Sequence, residues 1–363
     1  MVEIATLRMR EVYEKFLPPT VDMPSEGWLE NFMKRNELQT KWSTPFSQDR
    51  YTKGTVGTIS NWFEILHQSV DLTKYDERMI FNMDETMLIH RGKYLVVVPH
   101  GSTEAIVLDD EESDHITMVA TISAGGYYLR PLYILKLKTL PLEVQESIRL
   151  GHCNVSGQKA GWMTATIYRE WIKTFLEDVK IQRTIHNIPN EPAILFVDPH
   201  SSRNDPEDEK LLLDNNIKIV EFPSKTTHLL QACDLCLFGP FKREFRKEFR
   251  NLQKREIKFS GDYVPSKNGL RRTRTLLASQ VAFQKVATYR NIQRAFQMSG
   301  IFPFDQNVVL SNPKINPSQE VTVKIQKEPT HARIIINEKV VGAKELKTKN
   351  TKPASNLGKR KSK

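Results

Sequence analysis

Apolar and polar residues follow two rhythms along this chain, and each rhythm predicts a different kind of element. Short, almost wholly apolar runs predict buried strands, whereas apolar residues that recur every three or four positions predict helices. The predicted strands are Met79–Met83, Tyr94–Pro99, Ile116–Ile122, Tyr127–Leu137, Ala193–Val197 and Ile217–Phe222. The predicted helices are Leu7–Phe16, Gly27–Asn36, Thr58–Leu72, Thr164–Val179, Asp208–Leu213, Phe241–Leu252 and Leu276–Met298.

The order of these elements predicts the fold class. Strands come first and then alternate with helices, which indicates an α/β fold with a mixed sheet and helices on both sides. Gly125 and Gly126 predict a hairpin turn between two of the strands. This order is that of a ribonuclease-H-like sheet, although order alone fits other α/β folds as well.

Three acidic residues stand beside predicted elements. Asp84 is expected at the end of the strand Met79–Met83, and Asp198 directly after Ala193–Val197. Asp234 is expected at the start of a helix rich in Arg and Lys. Taken singly, such residues are usually caps or turn formers. Brought together, three carboxylates raise one another's pKa unless cations neutralise them, and oxygen ligands favour hard ions such as Mg²⁺.

The segments around the three acids carry a resemblance to a known family. They read NMDET, VDPHSS and THLLQACDLCLFGPFK, and they resemble the catalytic blocks of DDE-type transposases of the pogo/Tigger/Jerky group, which is related to centromere protein B. GWLENFMKRN, GWMT and AFQMSGIFPFD extend the resemblance over most of residues 24–310.

The resemblance implies a DDE superfamily endonuclease that cuts and joins strands of double-stranded DNA. It also implies that Asp84, Asp198 and Asp234 are catalytic and bind two Mg²⁺ or Mn²⁺ ions, and that two protomers act as a homodimer on the DNA. Neither a small-molecule cofactor nor a membrane partner is expected. A non-catalytic DNA- or chromatin-binding protein derived from such an enzyme is the alternative, and an inactive relic is a third.

This chain departs from the family pattern at a few positions. Relatives commonly have Asn and His where this chain has Pro199 and Arg203, and Gln-Pro-Leu-Asp where it has QACD. Pro199 stiffens the backbone directly after a ligand and removes an N–H group. The three retained acids favour the enzyme, whereas the shortened amino-terminal module favours the alternatives.

The resemblance and the composition together predict four regions. They are a helical remnant of a helix-turn-helix DNA-binding module with its linker (1–54), a ribonuclease-H-like DDE catalytic domain (55–255), a helical region (256–310) and a low-order basic tail (311–363).

Net charge is +10, and most of it lies at the carboxyl terminus. Eight Lys or Arg residues and a single acid follow Ala343, so phosphate-binding surfaces elsewhere must be local patches. A solvated basic face is the alternative for each patch, and a hydrogen-bonded structural role is the alternative for two histidines close to the acids. The candidate DNA contacts are Lys34, Arg35, Lys242, Arg243, Arg246, Lys247, Arg271 and Arg272, and the candidate supporting residues are His200 and His228.

Three cysteines, an odd number, argue against a disulfide framework and favour a reducing compartment. Cys233 and Cys236 form half of a zinc motif without a second pair. The sequence lacks a membrane-length apolar run and a signal-peptide pattern, so an intracellular protein is expected. The closing LGKRKSK resembles a nuclear import signal, which predicts a nuclear location.

Overall fold

The structure is a computed structural model, and it describes residues 26–38, 46–89, 116–145, 153–159, 161–200, 205–257, 259, 263–321 and 333–334. The chain divides into two compact units, 1–47 and 48–363. The first unit contains helix α1 (Glu26–Arg35), as predicted. The predicted helix Leu7–Phe16, the predicted strand Tyr94–Pro99 and the basic residues after Ala343 lie outside the described residues.

The second unit is built on a seven-stranded sheet in the order β4-β3-β2-β1-β5-β6-β7. The strands are β1 (Ile80–Met87), β2 (Ile116–Ser123), β3 (Leu132–Leu135), β4 (Asn154–Gly157), β5 (Ala193–Val197), β6 (Ile217–Glu221) and β7 (Arg333–Ile334). β2 is antiparallel to both β1 and β3, whereas β1, β5 and β6 are parallel to one another. This arrangement of the five inner strands is the ribonuclease-H-like one that the sequence predicts.

Helices cover both faces of the sheet. They are α2 (Gln48–Lys53), α3 (Val56–Ser69), α4 (Ala165–Ile185), α5 (Pro206–Asp214), α6 (Thr227–Leu230), α7 (Phe238–Gln253), α8 (Lys267–Val286), α9 (Tyr289–Met298) and α10 (Gln306–Leu310). A π-helical segment, Cys233–Leu237, joins α6 to α7. One core packs Trp62, Phe241 and Phe283 against the sheet, and the other packs Trp171 and Phe175 against the opposite face. In the part of the chain that the structure describes, no helix is both long enough and apolar enough to cross a membrane.

A buried indole fixes α3 to the sheet. Thr55 caps this helix, since its hydroxyl accepts a hydrogen bond from the backbone N–H of Thr58. Trp62 donates its indole N–H to the carbonyl oxygen of Glu221 at 3.0 Å, and its ring lies 5.6 Å from the ring of Phe222. Helix α3 is therefore anchored at the end of β6.

The observed elements differ from the predicted ones where the local pattern is weak. Residues 36–54, predicted to be irregular, contain helix α2. Strand β4 reads NVSG, so it lacks the apolar run that would have predicted it. The predicted helix Leu276–Met298 is two helices, because the chain bends between Val286 and Tyr289.

Residues 311–321, part of the predicted low-order tail, lie against the start of α3. The backbone N–H of Val56 donates to the carbonyl of Asn316 at 2.9 Å, and the N–H of Gly57 donates to that of Ser318 at 3.1 Å. Thr55 adds a hydroxyl bond of 2.6 Å to the carbonyl of Glu320. This carboxyl-terminal segment is therefore held by hydrogen bonds in the structure.

Candidate active site

The first predicted acid, Asp84, lies inside β1 and not at its end. The prediction was wrong because β2 continues to pair with β1 as far as Met87 and Thr117. Pairing on the other side of β1 stops earlier, at Asn82 and Phe196. Asp84 therefore lies where β1 still pairs with β2 but no longer pairs with β5.

The second acid, Asp198, comes directly after β5, as predicted. Asn82 of β1 and Phe196 of β5 form the last pair of these two strands, and Asp84 and Asp198 each follow that pair by two residues. Neighbouring strands are about 4.8 Å apart, and paired residues of parallel strands face the same side. Side chains two residues apart on a strand also share a face, so Asp84 is directed to the face of Asn82, which is covered by α3, α7 and α8. Glu85, the next residue of β1, is on the opposite face.

The third acid, Asp234, is the second residue of the π-helical segment. Such segments are rare in proteins and are concentrated at functional sites. Asp234 is exposed, whereas Cys233 immediately before it is completely buried. The backbone N–H of Cys233 donates to the side-chain oxygen of Asn82 at 3.1 Å, so the segment with the third acid is attached to the strand with the first.

The electrostatics of this region reflect crowded carboxylates. Partial burial raises the pKa of Asp234, although its side chain also reaches solvent. The positive charges of Lys242 and Arg50 partly oppose this effect. Burial raises the pKa of the Cys233 thiol well above its ordinary value, and the negative charges of Asp84 and Asp234 raise it further. Both carboxylates are therefore within electrostatic reach of one buried thiol, which is neutral at physiological pH.

The donor chemistry fits a hard divalent cation, because the converging segments offer carboxylates whose mutual repulsion a cation would relieve. Within the described ranges, no three His, Cys, Asp or Glu side chains are close enough together to hold a metal ion. Asp84 instead accepts the backbone N–H of Glu85 at 2.8 Å. The two cysteines offer no alternative centre, since Cys233 is buried and the sulfur of Cys236 lies 3.2 Å from that of Met298.

The two histidines occupy different environments. His228 packs near Gly54, and its pKa is lowered to about 4 by burial and by the charges of Arg50 and Lys314. It is therefore neutral at physiological pH. His200 is exposed, two residues after Asp198. Arg50, whose charge acts on both His228 and Asp234, is a site residue that sequence reasoning missed, because nothing in the local pattern of α2 indicates it.

Helix α7 separates its charges onto two sides. Its phenylalanines form a buried stripe, and Glu244 and Glu248 on one flank of it bind Lys285 of α8 at 3.3 and 2.6 Å. The other flank and the outer surface carry a basic stripe. That stripe consists of Lys242, Arg243, Arg246, Lys247 and Arg250, and it begins beside Asp234.

The remaining basic candidates are distributed over both units. Lys34 and Arg35 are exposed in the last turn of α1, in the first unit. Arg271 and Arg272 lie near the start of α8. The side chain of Arg272 is only 15% exposed, and its guanidinium is 3.9 Å from the buried carboxylate of Glu143. Arg272 therefore has an internal acidic partner in the structure, and its contact with a phosphate stays a prediction.

Comparison with known proteins gives one family and several distant similarities. The profile of the family described as DDE superfamily endonuclease matches residues 113–296, about half of the chain. The chain is 25% identical over 233 residues to a protein named MFS-type transporter clz9 from Cochliobolus lunatus. That similarity covers 64% of this chain and 24% of the other, so the chain spans about a quarter of the curated relative's length.

Two of the similar solved structures are complexes of one transposase. The Mos1 transposase paired-end complex with left transposon end has a TM-score of 0.49 and 11% identity, covering 85% of this chain and 77% of that one. The Mos1 Strand Transfer Complex has a TM-score of 0.47 and 11% identity, covering 84% and 72%.

Proposed function

Because the chain belongs to the DDE superfamily endonuclease family, we propose that it cuts DNA strands and joins them to new ends in a reaction that requires divalent metal ions. One observation carries the proposal, namely that Asp84 and Asp198 each follow the last pair of β1 and β5, Asn82 and Phe196, by two residues. The blocks NMDET, VDPHSS and THLLQACD further support membership of the pogo/Tigger/Jerky group.

The three acids are the proposed ligands. Asp84 and Asp198 would hold Mg²⁺ or Mn²⁺ from adjacent strands, and Asp234 would complete the set from the π-helical segment. A pair of bound ions supplies activation of the attacking hydroxyl and stabilisation of the leaving oxygen at phosphorus. The protein contributes the placement of the carboxylates. The raised pKa of Asp234 means that a proton competes with a cation for this carboxylate.

The basic stripe of α7 is the proposed contact for the DNA backbone. Lys and Arg side chains bind phosphates without regard to sequence, and the stripe begins where Lys242 lies near Asp234. A duplex that follows the stripe would therefore bring its phosphates to the acids. We further propose that Lys34, Arg35 and the basic residues after Ala343 contact DNA. The same proposal includes a nuclear location and a homodimer on DNA.

A non-catalytic DNA-binding protein is the second candidate. It is favoured by the lack, among the described side chains, of three ligands already close enough for one ion. Pro199 favours it too, because it stiffens the backbone immediately after Asp198. The two candidates share the basic stripe and differ in whether the carboxylates bind metal.

The decisive experiment measures Mn²⁺-dependent nicking of a supercoiled DNA plasmid by wild type and by Asp198→Asn. The matched control is Asp214→Asn, which changes an exposed acid at the end of α5. We expect Mn²⁺-dependent nicking in wild type and in the control, and none in Asp198→Asn, while all three bind DNA equally. Equal nicking by Asp198→Asn would overturn the assigned site, and DNA binding without nicking in wild type would favour the second candidate.

A further inference from the structure

Two amide side chains meet in the interior of the protein beneath the three acids. Asn82 of β1 and Gln231, between α6 and the π-helical segment, are both 0% exposed. The side-chain nitrogen of Asn82 donates to the side-chain oxygen of Gln231 at 2.9 Å, although 149 residues separate them. A buried amide pair of this kind is retained only where its polar atoms find partners.

The partners of the pair come from the three segments that carry the acids. Asn82 donates from the same nitrogen to the carbonyl of Phe196 at 3.0 Å, and Gln231 donates to the carbonyl of Met83 at 3.2 Å. The side-chain oxygen of Asn82 accepts the backbone N–H of Cys233 at 3.1 Å. This last bond requires oxygen at that position, so it also determines which way the Asn82 amide points.

Each of these bonds ends within two residues of an acid in the sequence. Met83 directly precedes Asp84, and Cys233 directly precedes Asp234. Phe196 is two residues before Asp198 and lies on the same face of the sheet. The pair therefore contacts the backbone of all three acid-bearing segments while touching none of the carboxylates through a hydrogen bond.

We propose that Asn82 and Gln231 are positioning residues, which fix the three acid-bearing segments relative to one another and so set the spacing of the carboxylates. The inference rests on the proposed function, since it assigns a purpose to that spacing. Three carboxylates in one region repel one another, so the segments that carry them separate unless the backbone is restrained. Apolar packing joins layers without fixing their register, whereas hydrogen bonds are directional and restrain both distance and orientation.

The restraint differs from ordinary support of the core. Tyr133 of β3 and Ser279 of α8 form another buried hydrogen bond on the same face of the sheet, with 2.9 Å between their oxygens. The other side-chain hydrogen bond of this pair runs from Ser279 to the sulfur of Met118 in β2, which is not an acid-bearing segment. Tyr133→Phe therefore removes one buried hydrogen bond in the same layer and serves as a matched control for loss of stability alone.

The test compares Gln231→Met, Asn82→Leu and the double variant with Tyr133→Phe in the full chain. Met and Leu approximate the replaced volumes, and Gln231→Met keeps the bonds from Asn82 to Phe196 and Cys233, so this variant is the one expected to fold most readily. Hydrogen exchange without metal reports on residues 231–237, and calorimetric titration with Mn²⁺ reports on the carboxylates. Mutation of residues that hold metal ligands in place commonly weakens metal affinity by about 10- to 100-fold.

We expect each single variant to exchange faster over residues 231–237 and to bind Mn²⁺ at least about tenfold more weakly. The double variant should be no weaker than the worse single variant, because the two residues act as a unit. Tyr133→Phe should change neither quantity. Unchanged exchange over residues 231–237, or Mn²⁺ affinity that falls no further than in Tyr133→Phe, would overturn the proposal.

If wild type binds no Mn²⁺, the metal part of the proposed function fails, and the exchange comparison still decides whether the pair restrains the segments. Faster exchange in the Gln231 and Asn82 variants alone would then support the restraint. Equal exchange in those variants and in the control would overturn it.

Discussion

At the scale of single residues, the site combines a charged group with surroundings that disfavour its charge. Burial raises the pKa of Asp234, and Lys242 and Arg50 only partly reverse the effect. An aspartate with a raised pKa in the folded state adds stability at low pH, and this contribution is lost as pH rises through the raised pKa. Above that pH, the ionised carboxylate is a cost to the folded protein unless a cation binds.

Asp234→Asn should therefore stabilise the metal-free protein. We expect its melting temperature to rise by about 1 to 3 °C at pH 8, and by less at pH 4.5, where the proton already neutralises part of the wild-type charge. Thermal unfolding at both pH values measures the difference. Asp214→Asn, which changes an exposed acid on α5, is the control for the substitution itself. A larger gain at pH 4.5 than at pH 8 would contradict the assigned direction of the pKa shift.

The three acids could be proposed from the sequence, whereas the residues that contact their segments could not. Asp84, Asp198 and Asp234 stand in family blocks beside apolar runs, so their local context identifies them. Asn82 and Gln231 acquire their meaning only when segments far apart in the chain are brought together. Arg50 lies in a polar stretch that resembles a linker, and no residue near it indicates its position beside Asp234.

At the scale of elements, α7 has one side buried in the core and another side that forms a charged surface. Glu244 and Glu248 on its acidic flank form ion pairs with Lys285, whereas its basic stripe faces outward. The ion pairs to α8 fix the rotation of the helix about its axis. The stripe is therefore presented in a constant direction relative to the acids.

Replacing Arg243, Arg246 and Lys247 together by Gln should weaken binding to any duplex and reduce its dependence on salt. Each lost phosphate contact lowers the slope of log affinity against log salt by about 0.9, so a decrease of about 2 to 3 is expected. Binding measured from 50 to 300 mM NaCl gives the slope. Lys285→Gln is the control, because Lys285 lies on the opposite flank of α7, between Glu244 and Glu248. A slope that changes equally in both proteins would show that the stripe has no special contact with DNA.

Two glycines should respond in opposite ways to the same change. A methyl group on Gly57 would lie 2.1 Å from the carbonyl oxygen of Gln319, whereas one on Gly239 of α7 would meet nothing within 4 Å. Gly57→Ala should thus lower the free energy of unfolding by about 1 to 3 kcal/mol through overpacking. Gly239→Ala should raise it by about 0.5 to 1 kcal/mol through helix propensity. Denaturant unfolding of the two variants checks both signs. An unchanged free energy of unfolding in Gly57→Ala would show that residues 316–320 shift away from the added methyl group at little cost.

Much of the element order follows from local pattern, and the exceptions share a cause. Strands such as Ala193–Val197 were predicted because their apolar runs are independent of context. The end of β1 was misplaced because pairing with β2 decides where that strand stops, and the sequence of β1 does not contain this information. The helix α2 and residues 311–321 are short polar stretches that are ordered by contacts made far along the chain.

At the scale of the whole molecule, positive charge is divided between the local stripe on α7 and the residues after Ala343. The latter hold eight Lys or Arg residues against one acid. Charges of this kind add sequence-independent affinity without contributing to the geometry of the acids. The two sources of charge should therefore be separable by experiment.

Replacing the eight basic residues after Ala343 by Gln should lower the salt dependence of DNA binding while leaving the rate of cleavage at saturating DNA unchanged. The expected decrease in slope is at least about 2, provided that a few of these residues touch phosphates. Affinity at several salt concentrations and single-turnover cleavage measure the two effects. An unchanged slope would assign all phosphate contacts to the remainder of the chain.

The central place of β1 has a consequence for how the protein is made. Asn82 and its partner carbonyl on Phe196 are 114 residues apart, and Asn82 and Gln231 are 149 apart. Closing such long loops costs more chain entropy than forming the β1–β2 hairpin, so the hairpin should form first during synthesis. The acids then come together only after the ribosome has passed residue 234. A prematurely terminated chain that ends before this point would lack one of the three proposed metal ligands.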